Sequence, residues 1–478
     1  MALAADGRSV LLESAERTTG VSRYSYLLWD PFWIVRWNFA SGWTSESGPP
    51  AGSLPRDPWA GVEAALSLCR AERSVPLPFA GGAAGYFSYE LAATLEHLPE
   101  LACRTTAAPA VHLAIGDVVV ALDHLERRAY LVSQGWPAIG RDGERRAQER
   151  RDAALEAWLA AENPLARVSR AEEPRAEPVT ELTLAAAQAE GLRASLTYAE
   201  YASRFARLHR YLEEGHVYQA NLSLAFRADH GIEPAALYDA LRRRNPAPHA
   251  ALLPGCDATV LSASPELFLR RRGSRLVTRP IKGTRPRGAM PLEDRQLAQA
   301  LRASAKDLAE HVMIVDVHRN DLGRVARFGS VRVPEPWALE SFASVHHLTS
   351  TIEAELLPGG RPLDAVRATF PAGSITGAPK IRAMEILADL EPHARGPYTG
   401  ALGWLAPDGD FDLAVGIRTL TLTPGAVEFP AGGGIVLDST PEAEYEEAWH
   451  KARALWSCVR AAPAASSTPA ALATGTRS

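Results

Sequence analysis

Pro280-Ile281-Lys282-Gly283-Thr284-Arg285-Pro286-Arg287-Gly288 packs two prolines, two glycines and three basic residues into nine positions. Proline lacks the amide that a helix or ladder needs, and paired Pro/Gly punctuation marks a turn. The stretch therefore predicts a rigid, irregular turn, neither helix nor regular strand, that carries one amine ahead of two guanidinium groups. Taken alone it reads more readily as a surface loop with Lys282 and Arg285 in water, where charged loop residues usually sit. Its company points elsewhere. Ser264-Pro265-Glu266 stands sixteen residues upstream, and four more glycine-rich or acidic stretches follow downstream. Lys282 is the candidate nucleophile.

Outward from this turn, Val217 to Phe226, Ala258 to Leu261 and Leu267 to Val277 alternate like antiparallel strands, the last pair turning at Gly273-Ser274. Thr197-Tyr198-Ala199-Glu200 has capping-box spacing. It opens a helix with Tyr201, Phe205, Leu208 and Leu212 on one face and Gly215 as its stop. Upstream, Tyr24 to Trp37 reads as two strands about Asp30-Pro31, and Trp59 to Leu68 as a helix. Gly81 to Gly85 reads as a tight turn, and Val111–Leu122 with Arg128–Val132 as a hairpin around Asp123-His124. Helices and antiparallel strands in mixed order predict an α+β fold. Composition divides the chain into a β-rich unit over 1–135, a charged helix and proline-bearing linker over 136–195, a larger unit over 196–460, and an Ala/Ser/Thr-rich tail over 461–478 expected to be disordered.

The chain has 478 residues, 46% hydrophobic and 22% charged, with a net charge of −5. Phosphate contacts need a basic surface, so a general nucleic-acid binder is excluded. No apolar run reaches the ~18 residues needed to cross a membrane, and no basic-then-apolar leader opens the chain. Cys69, Cys103, Cys256 and Cys458 show no paired spacing, so neither a zinc site nor a disulfide framework is expected. The expected location is cytoplasmic.

Asp307 and Glu310 lie three apart in a run that predicts one helix from about Leu292 to Val317, and so share a face. Glu444 and Glu447 repeat that spacing in a terminal helix capped by Ser439 or Thr440, with Pro441 in its first turn. Acidic residues at a helix start also serve simply to complement the macrodipole. Two such pairs beside a reactive lysine suit Mg²⁺, a hard ion that takes carboxylate oxygens and keeps waters for substrate. Phe370 to Lys380 supplies small residues, hydroxyls and free amides just before the helix Ile381 to Leu390, an anion site by construction. Ala431-Gly432-Gly433-Gly434 offers consecutive amides, and Arg418 a two-point partner for a carboxylate. Singly each has an ordinary structural explanation. Together they describe a pocket for a small, highly anionic molecule and a metal.

These stretches resemble the chorismate-utilising enzymes. The resemblance is carried by Pro280–Gly288, by Ala309-Glu310-His311-Val312-Met313-Ile314-Val315-Asp316 with Arg319-Asn320-Asp321-Leu322-Gly323-Arg324, by Gly373–Lys380 and by Gly432–Tyr445. It spans about Thr197 to Trp456 and extends more weakly into Leu11-Leu12-Glu13-Ser14 and Gly81–Tyr89. It implies mostly antiparallel sheets packed as a sandwich with helices outside. The branch it resembles most is aminodeoxychorismate synthase component I, because anthranilate synthase large subunits usually carry Ala where this chain has Lys282.

The resemblance implies that Lys282 attacks ring carbon 2 of chorismate and expels the 4-hydroxyl by an allylic shift. Glu266 is then the general acid and His347 lies near the departing hydroxyl. Ammonia takes carbon 4, giving 4-amino-4-deoxychorismate, on the route to 4-aminobenzoate and folate. A lysine must be neutral to attack, and its reference pKa is about 10.4; Mg²⁺, Arg285 and Arg287 are expected to disfavour the charged form. Glu310, Glu444 and Glu447 are the implied metal ligands, with the shorter Asp307 reaching through water. Tyr398, Arg418, Gly432, Gly433 and Gly434 are the implied carboxylate holders, with Ser374, Thr376, Gly377 and Lys451 close by. No Gly-x-Cys-x-Gly elbow is present, so ammonia comes from solution or from a separate glutamine amidotransferase subunit. Relatives that bind tryptophan pair the motif at Leu12, Glu13 and Ser14 with Asn-Pro-x-Pro-Tyr-Met; here Asn245-Pro246-Ala247-Pro248 runs on into His249-Ala250. The framework of that regulatory site is kept and its aromatic wall changed, which argues against tryptophan. The competing readings are anthranilate synthase component I, an isochorismate synthase adding water, and a non-catalytic chorismate-binding protein.

Overall fold

Alternation along the strand Gln219–Asp229 governs how the larger half of the molecule packs. Ala220, Leu222, Leu224 and Phe226 are buried on one face, in a core shared with helices Tyr198–Glu213, Lys380–Leu390 and Pro441–Ala461. Gln219, Asn221 and Ser223 point the other way, since successive side chains alternate faces. The computed structural model describes residues 7–15, 23–70, 75–98, 101, 104, 106–161, 182–342 and 345–463.

These residues form two large antiparallel sheets. One runs from the edge Gly377–Ala378 through Gln219–Asp229, Ala426–Ile435 and Thr419–Thr423 to Thr259–Ser264 and His249–Leu253, and on through Val10–Glu13, Tyr24–Leu28, Val118–Asp123 and Arg128–Ser133. The other begins at Ile281–Pro286 and continues through Val345–Glu355, Arg275–Arg279, Leu267–Arg272, Phe411–Val415 and Ala401–Leu405 to Gly82–Phe87, Val111–Gly116, Trp33–Asn38 and Gly42–Glu46. The early strands continue both sheets: Val10–Glu13 pairs with His249–Leu253, and Gly82–Phe87 with Ala401–Leu405. The inner faces meet in a core that includes Leu28, Ile34, Tyr86, Val119, Trp404 and Ala414, and helices cover the outer faces. The expected α+β sandwich with helices outside is what the chain forms.

Four local expectations fail for identifiable reasons. Pro280–Gly288 is not an irregular turn: Ile281–Pro286 is an edge strand on Val345–Glu355, its register slipping between Lys282 and Thr284. Prolines at the ends of an edge strand cost the ladder little. Gly283, at φ +82°, provides the bulge. The expected helix Leu292–Val317 is two, Pro291–Ala303 and Ala305–Gly323, because the Ser304 hydroxyl accepts from the Asp307 amide at 3.3 Å and starts the second. Gly81–Gly85 is not a tight turn, since Gly82–Phe87 is a strand. Val111–Leu122 is two strands, Val111–Gly116 and Val118–Asp123, in different sheets, and the two strands expected about Asp30-Pro31 do form, as Tyr24–Leu28 and Trp33–Asn38, also in different sheets. Their chain crosses between the sheets near Asp30 and at Asp117, which continuous apolar runs do not reveal. Only Val118–Asp123 forms the hairpin with Arg128–Ser133.

The charged helix runs over Gly140–Ala160. The linker at 162–181, Cys103 and most of the alanine-rich tail lie outside the described residues. Among the described residues no helix is long and apolar enough to cross a membrane.

Candidate active site

The polar face of Gln219–Asp229, the glycines of Ala426–Ile435 and the edge strand of the other sheet come together at one end of the sandwich. Lys282 projects from the bulge. Burial holds its amine below the usual lysine range, with the Lys451 ammonium pushing the same way and Glu310, Glu266 and Glu447 opposing. The expected helpers, Arg285 and Arg287, turn aside. Arg285 donates to Asp307 at 2.9 Å, and Arg287 to Asp294 at 2.7 and 2.9 Å. Desolvation, not a row of guanidinium groups, is what depresses Lys282.

Two histidines brace the bulge. The His311 ring engages the Lys282 backbone and meets the Ser350 hydroxyl at 2.7 Å. His347 interacts with the Gly283 backbone and its Nδ1 lies 2.8 Å from the Thr284 hydroxyl. Burial, reinforced for His347 by Arg418, lowers both to about 4, so both rings are neutral near pH 7. Glu266, 3% exposed, receives the Ser374 hydroxyl. Burial raises its carboxyl to about 7 even though Ser374, Lys282 and the Ile281 amide favour the charged form. A carboxyl poised there can deliver a proton at neutral pH.

Opposite lies the glycine strand. Gly434 pairs with Asn221, Gly433 with Leu222 and Gly432 with Ser223. A side chain on Gly434 would come within 2.2 Å of the Gln219 amide nitrogen, and one on Gly433 within 2.7 Å of a Glu444 oxygen. Ser374 and Thr376 are buried, and the Asn221 amide donates to the Ser374 carbonyl at 3.0 Å. Arg418 has φ of +50°, a strained value for a residue with a side chain. Burial alone lowers its pKa, with no carboxylate compensating. Tyr398, 8% exposed, is pushed up by burial to about 12.

The carboxylates form the third wall. Glu444 accepts from the Ser439 hydroxyl at 2.7 Å. Burial raises Glu444 and Glu310, and Glu447 repels both. Burial also raises Glu447, but Lys451 at 2.7 Å and Lys282 outweigh it and leave it lowered. Lys451 also donates to the Gly432 carbonyl at 2.9 Å. Asp307 pairs with Arg285 at 2.9 Å and still repels Glu310. Among the described residues no three acidic or histidine side chains close on one point. The donor set nevertheless fits Mg²⁺ held partly through water: hard oxygens from two facing helices, mutually repelled, over a glycine whose side chain would fill the space.

Gln219 escaped the sequence reading. It is fully buried and both polar atoms of its amide lack hydrogen-bond partners. The signal was the polar set Gln219, Asn221, Ser223 at every second position of a strand otherwise lined by Ala220, Leu222 and Leu224.

The Leu12-Glu13-Ser14 motif falls elsewhere. Leu12, Glu13 and Ser14 line a cavity of about 660 Å³ between the sheets, with Pro248, His249 and Trp404. Glu13 is held by Arg242 at 2.6 Å and Tyr238 at 3.0 Å. Asn245 does not reach the cavity, since its amide donates to the Cys458 sulfur at 3.2 Å, and Pro246 is not in the wall either.

A fold of two antiparallel sheets with an acidic, glycine-walled cleft at one end defines a class. The chain belongs to the chorismate-binding enzyme family, whose profile matches residues 24–457. Two relatives of different name are almost equally similar. Anthranilate synthase component 1 of Thermus thermophilus is 42% identical over 387 residues, 81% of this chain and 79% of the relative. Aminodeoxychorismate synthase component 1 of Salmonella typhimurium is 41% identical over 375 residues, 78% and 76%. The crystal structure of anthranilate synthase component I from Streptococcus pneumoniae superposes with a TM-score of 0.74 at 28% identity, covering 92% of this chain and 93% of that one.

Proposed function

We propose that the chain aminates chorismate at ring carbon 4, giving 4-amino-4-deoxychorismate with its enolpyruvyl ether intact. The observation that carries this reading is Lys282: a desolvated amine with a depressed pKa, aimed from a braced bulge into the cleft beside Glu266. Neutral Lys282 attacks carbon 2, both ring double bonds shift, and the 4-hydroxyl leaves as water with the Glu266 proton. Ammonia attacks carbon 4, both double bonds shift back, the carbon–nitrogen bond to Lys282 breaks, and a proton from the new ammonium returns to Glu266. Chorismate and ammonia are consumed, and the product and water are formed. Arg418 and the amides of Gly432–Gly434 hold the substrate carboxylates, and Tyr398 contributes its hydroxyl. Glu310, Glu444 and Glu447 would hold Mg²⁺, whose charge steadies a substrate carboxylate when bound. Neutral His347 sits where it can donate to or accept from the departing hydroxyl.

The second reading, anthranilate synthase component I, is favoured by the near-equal identity to relatives of that name. There ammonia attacks carbon 2 directly and pyruvate is lost. Both relatives are component 1 proteins, which supports ammonia supply by a separate glutamine-hydrolysing subunit.

The test is product analysis with chorismate, Mg²⁺ and ammonium at raised pH, beside glutamine alone. The expected result is 4-amino-4-deoxychorismate from ammonium and nothing from glutamine. Without ammonia, mass spectrometry should find a chorismate-derived adduct on the peptide holding Lys282. Lys282→Ala should abolish the adduct and most of the product, with any residual nitrogen at carbon 2. Anthranilate and pyruvate from the wild-type chain, with no adduct, would establish the second reading instead.

A further inference from the structure

Beneath the cleft lies an arginine with every donor engaged. Arg395 is 3% exposed. Its Nε and Nη2 grip the Glu391 carboxylate at 2.8 and 2.7 Å. Nη2 also donates to the Asn221 carbonyl at 2.6 Å, and Nη1 to the Ile375 carbonyl at 3.1 Å and the Thr399 hydroxyl at 3.4 Å. A guanidinium has five N–H groups in a fixed planar fork, and these five contacts use them all.

The contacts reach three different parts of the cleft. Asn221 lies opposite Gly434. Ile375 sits between Ser374 and Thr376, and Thr399 follows Tyr398. Glu391 extends the reach, because its Oε1 accepts from the Ser223 amide at 2.9 Å and hydroxyl at 2.8 Å, opposite Gly432. The main chain of the same turn is held from the other side. The Arg395 and Gly396 amides donate to the buried Glu90 carboxylate at 2.7 and 3.0 Å, and the Tyr89 ring lies 4.5 Å from the guanidinium.

We propose that Arg395, oriented by Glu391, is a positioning residue that sets the spacing between the glycine wall, the Ser374–Gly377 loop and Tyr398, and so the fit of a dicarboxylate substrate. The proposal rests on the chorismate reading above. Stability does not require such a pair, since buried ion pairs replaced as a unit by apolar side chains are often neutral or better. What apolar side chains cannot supply is five directed bonds from one rigid plane. Lysine cannot either, having three donors on a flexible stem.

The experiment follows from that difference. Arg395→Met with Glu391→Leu removes both charges together, so neither is stranded. Steady-state kinetics with chorismate and ammonium are read beside urea unfolding. The expected result is an unfolding midpoint near wild type, a chorismate KM raised about tenfold or more, and an ammonia KM and saturating kcat within about threefold. Arg395→Lys should not restore the KM. A double variant that folds normally and keeps its chorismate KM within about twofold overturns the proposal. Should the double variant fail to fold, Thr399→Val and Ser223→Ala each remove one contact. Each should raise KM about three- to fivefold with unchanged unfolding, and unchanged KM in both overturns the proposal. Wild-type protein that neither binds chorismate in calorimetry nor turns it over sinks the functional reading and this proposal with it. Wild-type binding with unaltered variants sinks the proposal alone.

Discussion

Glu266→Gln keeps the shape of a side chain that is 3% exposed and removes only its proton chemistry. Burial raises this carboxyl from an ordinary 4.5 to about 7. The folded state thus keeps a proton that the unfolded chain releases between those values. A carboxyl raised on folding contributes stability that is fully present below pH 4.5 and is lost as pH rises through 7. At 1.36 kcal/mol per tenfold change in proton affinity, the loss over that span is about 3 kcal/mol. The variant cannot ionise, so its stability relative to wild type should climb by about 3 kcal/mol between pH 4.5 and 8, on top of any constant offset from the altered Ser374 contact. Urea unfolding of both proteins at a series of pH values reads the difference directly, and groups common to both cancel. A difference that stays flat across the series refutes the argument that Glu266 is buried with a proton to give. The same variant should lose about 10²–10⁴ in kcat with little change in chorismate KM.

The remaining expectations can be checked with the same preparations. Replacing Glu310, Glu444 or Glu447 by Gln should shift the magnesium titration to higher concentration, and unchanged titrations in all three would remove them from the metal site. Gly433→Ala puts a methyl group 2.7 Å from the Glu444 carboxylate, so magnesium dependence should weaken while far-UV circular dichroism stays the same. Burial lowers His112, His249, His311, His347 and His393 to about 4 and His318 to about 3. Neutral in the fold and protonated once unfolded, they contribute stability that is present above pH 6.5 and lost as pH falls. Denaturant midpoints should therefore drop steeply between pH 6.5 and 4, and a flat acid limb would contradict their burial. Tryptophan at millimolar concentration should leave both the melting temperature and the rate unchanged, since Asn245 is committed to Cys458 and does not reach the cavity.

The helix Tyr198–Glu213 was legible because every determinant of it is local. Thr197 and Glu200 close a capping box three residues apart, and Tyr201, Phe205, Leu208 and Leu212 repeat at the helical period. The hairpin at Gly273-Ser274 was legible for the same reason. The chemistry-bearing stretches could also be named, because Lys282, Glu310, Gly432–Gly434 and Glu444 sit in long ordered motifs.

Only the tertiary structure decided what those residues face. Nothing near Lys282 in sequence shows that Arg285 is taken by Asp307 and Arg287 by Asp294, leaving desolvation to lower the amine. Nor does local pattern separate Tyr24–Leu28 from Trp33–Asn38, because strands buried on both faces read alike whichever sheet they join. The bulge at Gly283 arises from pairing with a strand more than sixty residues away. Arg395 looks like one charge among many until two of its five donors are seen to grip Glu391 and the other three to end beside the glycine strand, the Ser374–Gly377 loop and Tyr398. Propensity, capping and period act over a few residues and are written in the chain. Burial, charge pairing and register depend on which distant segments meet, and those are settled only when the two sheets close on each other.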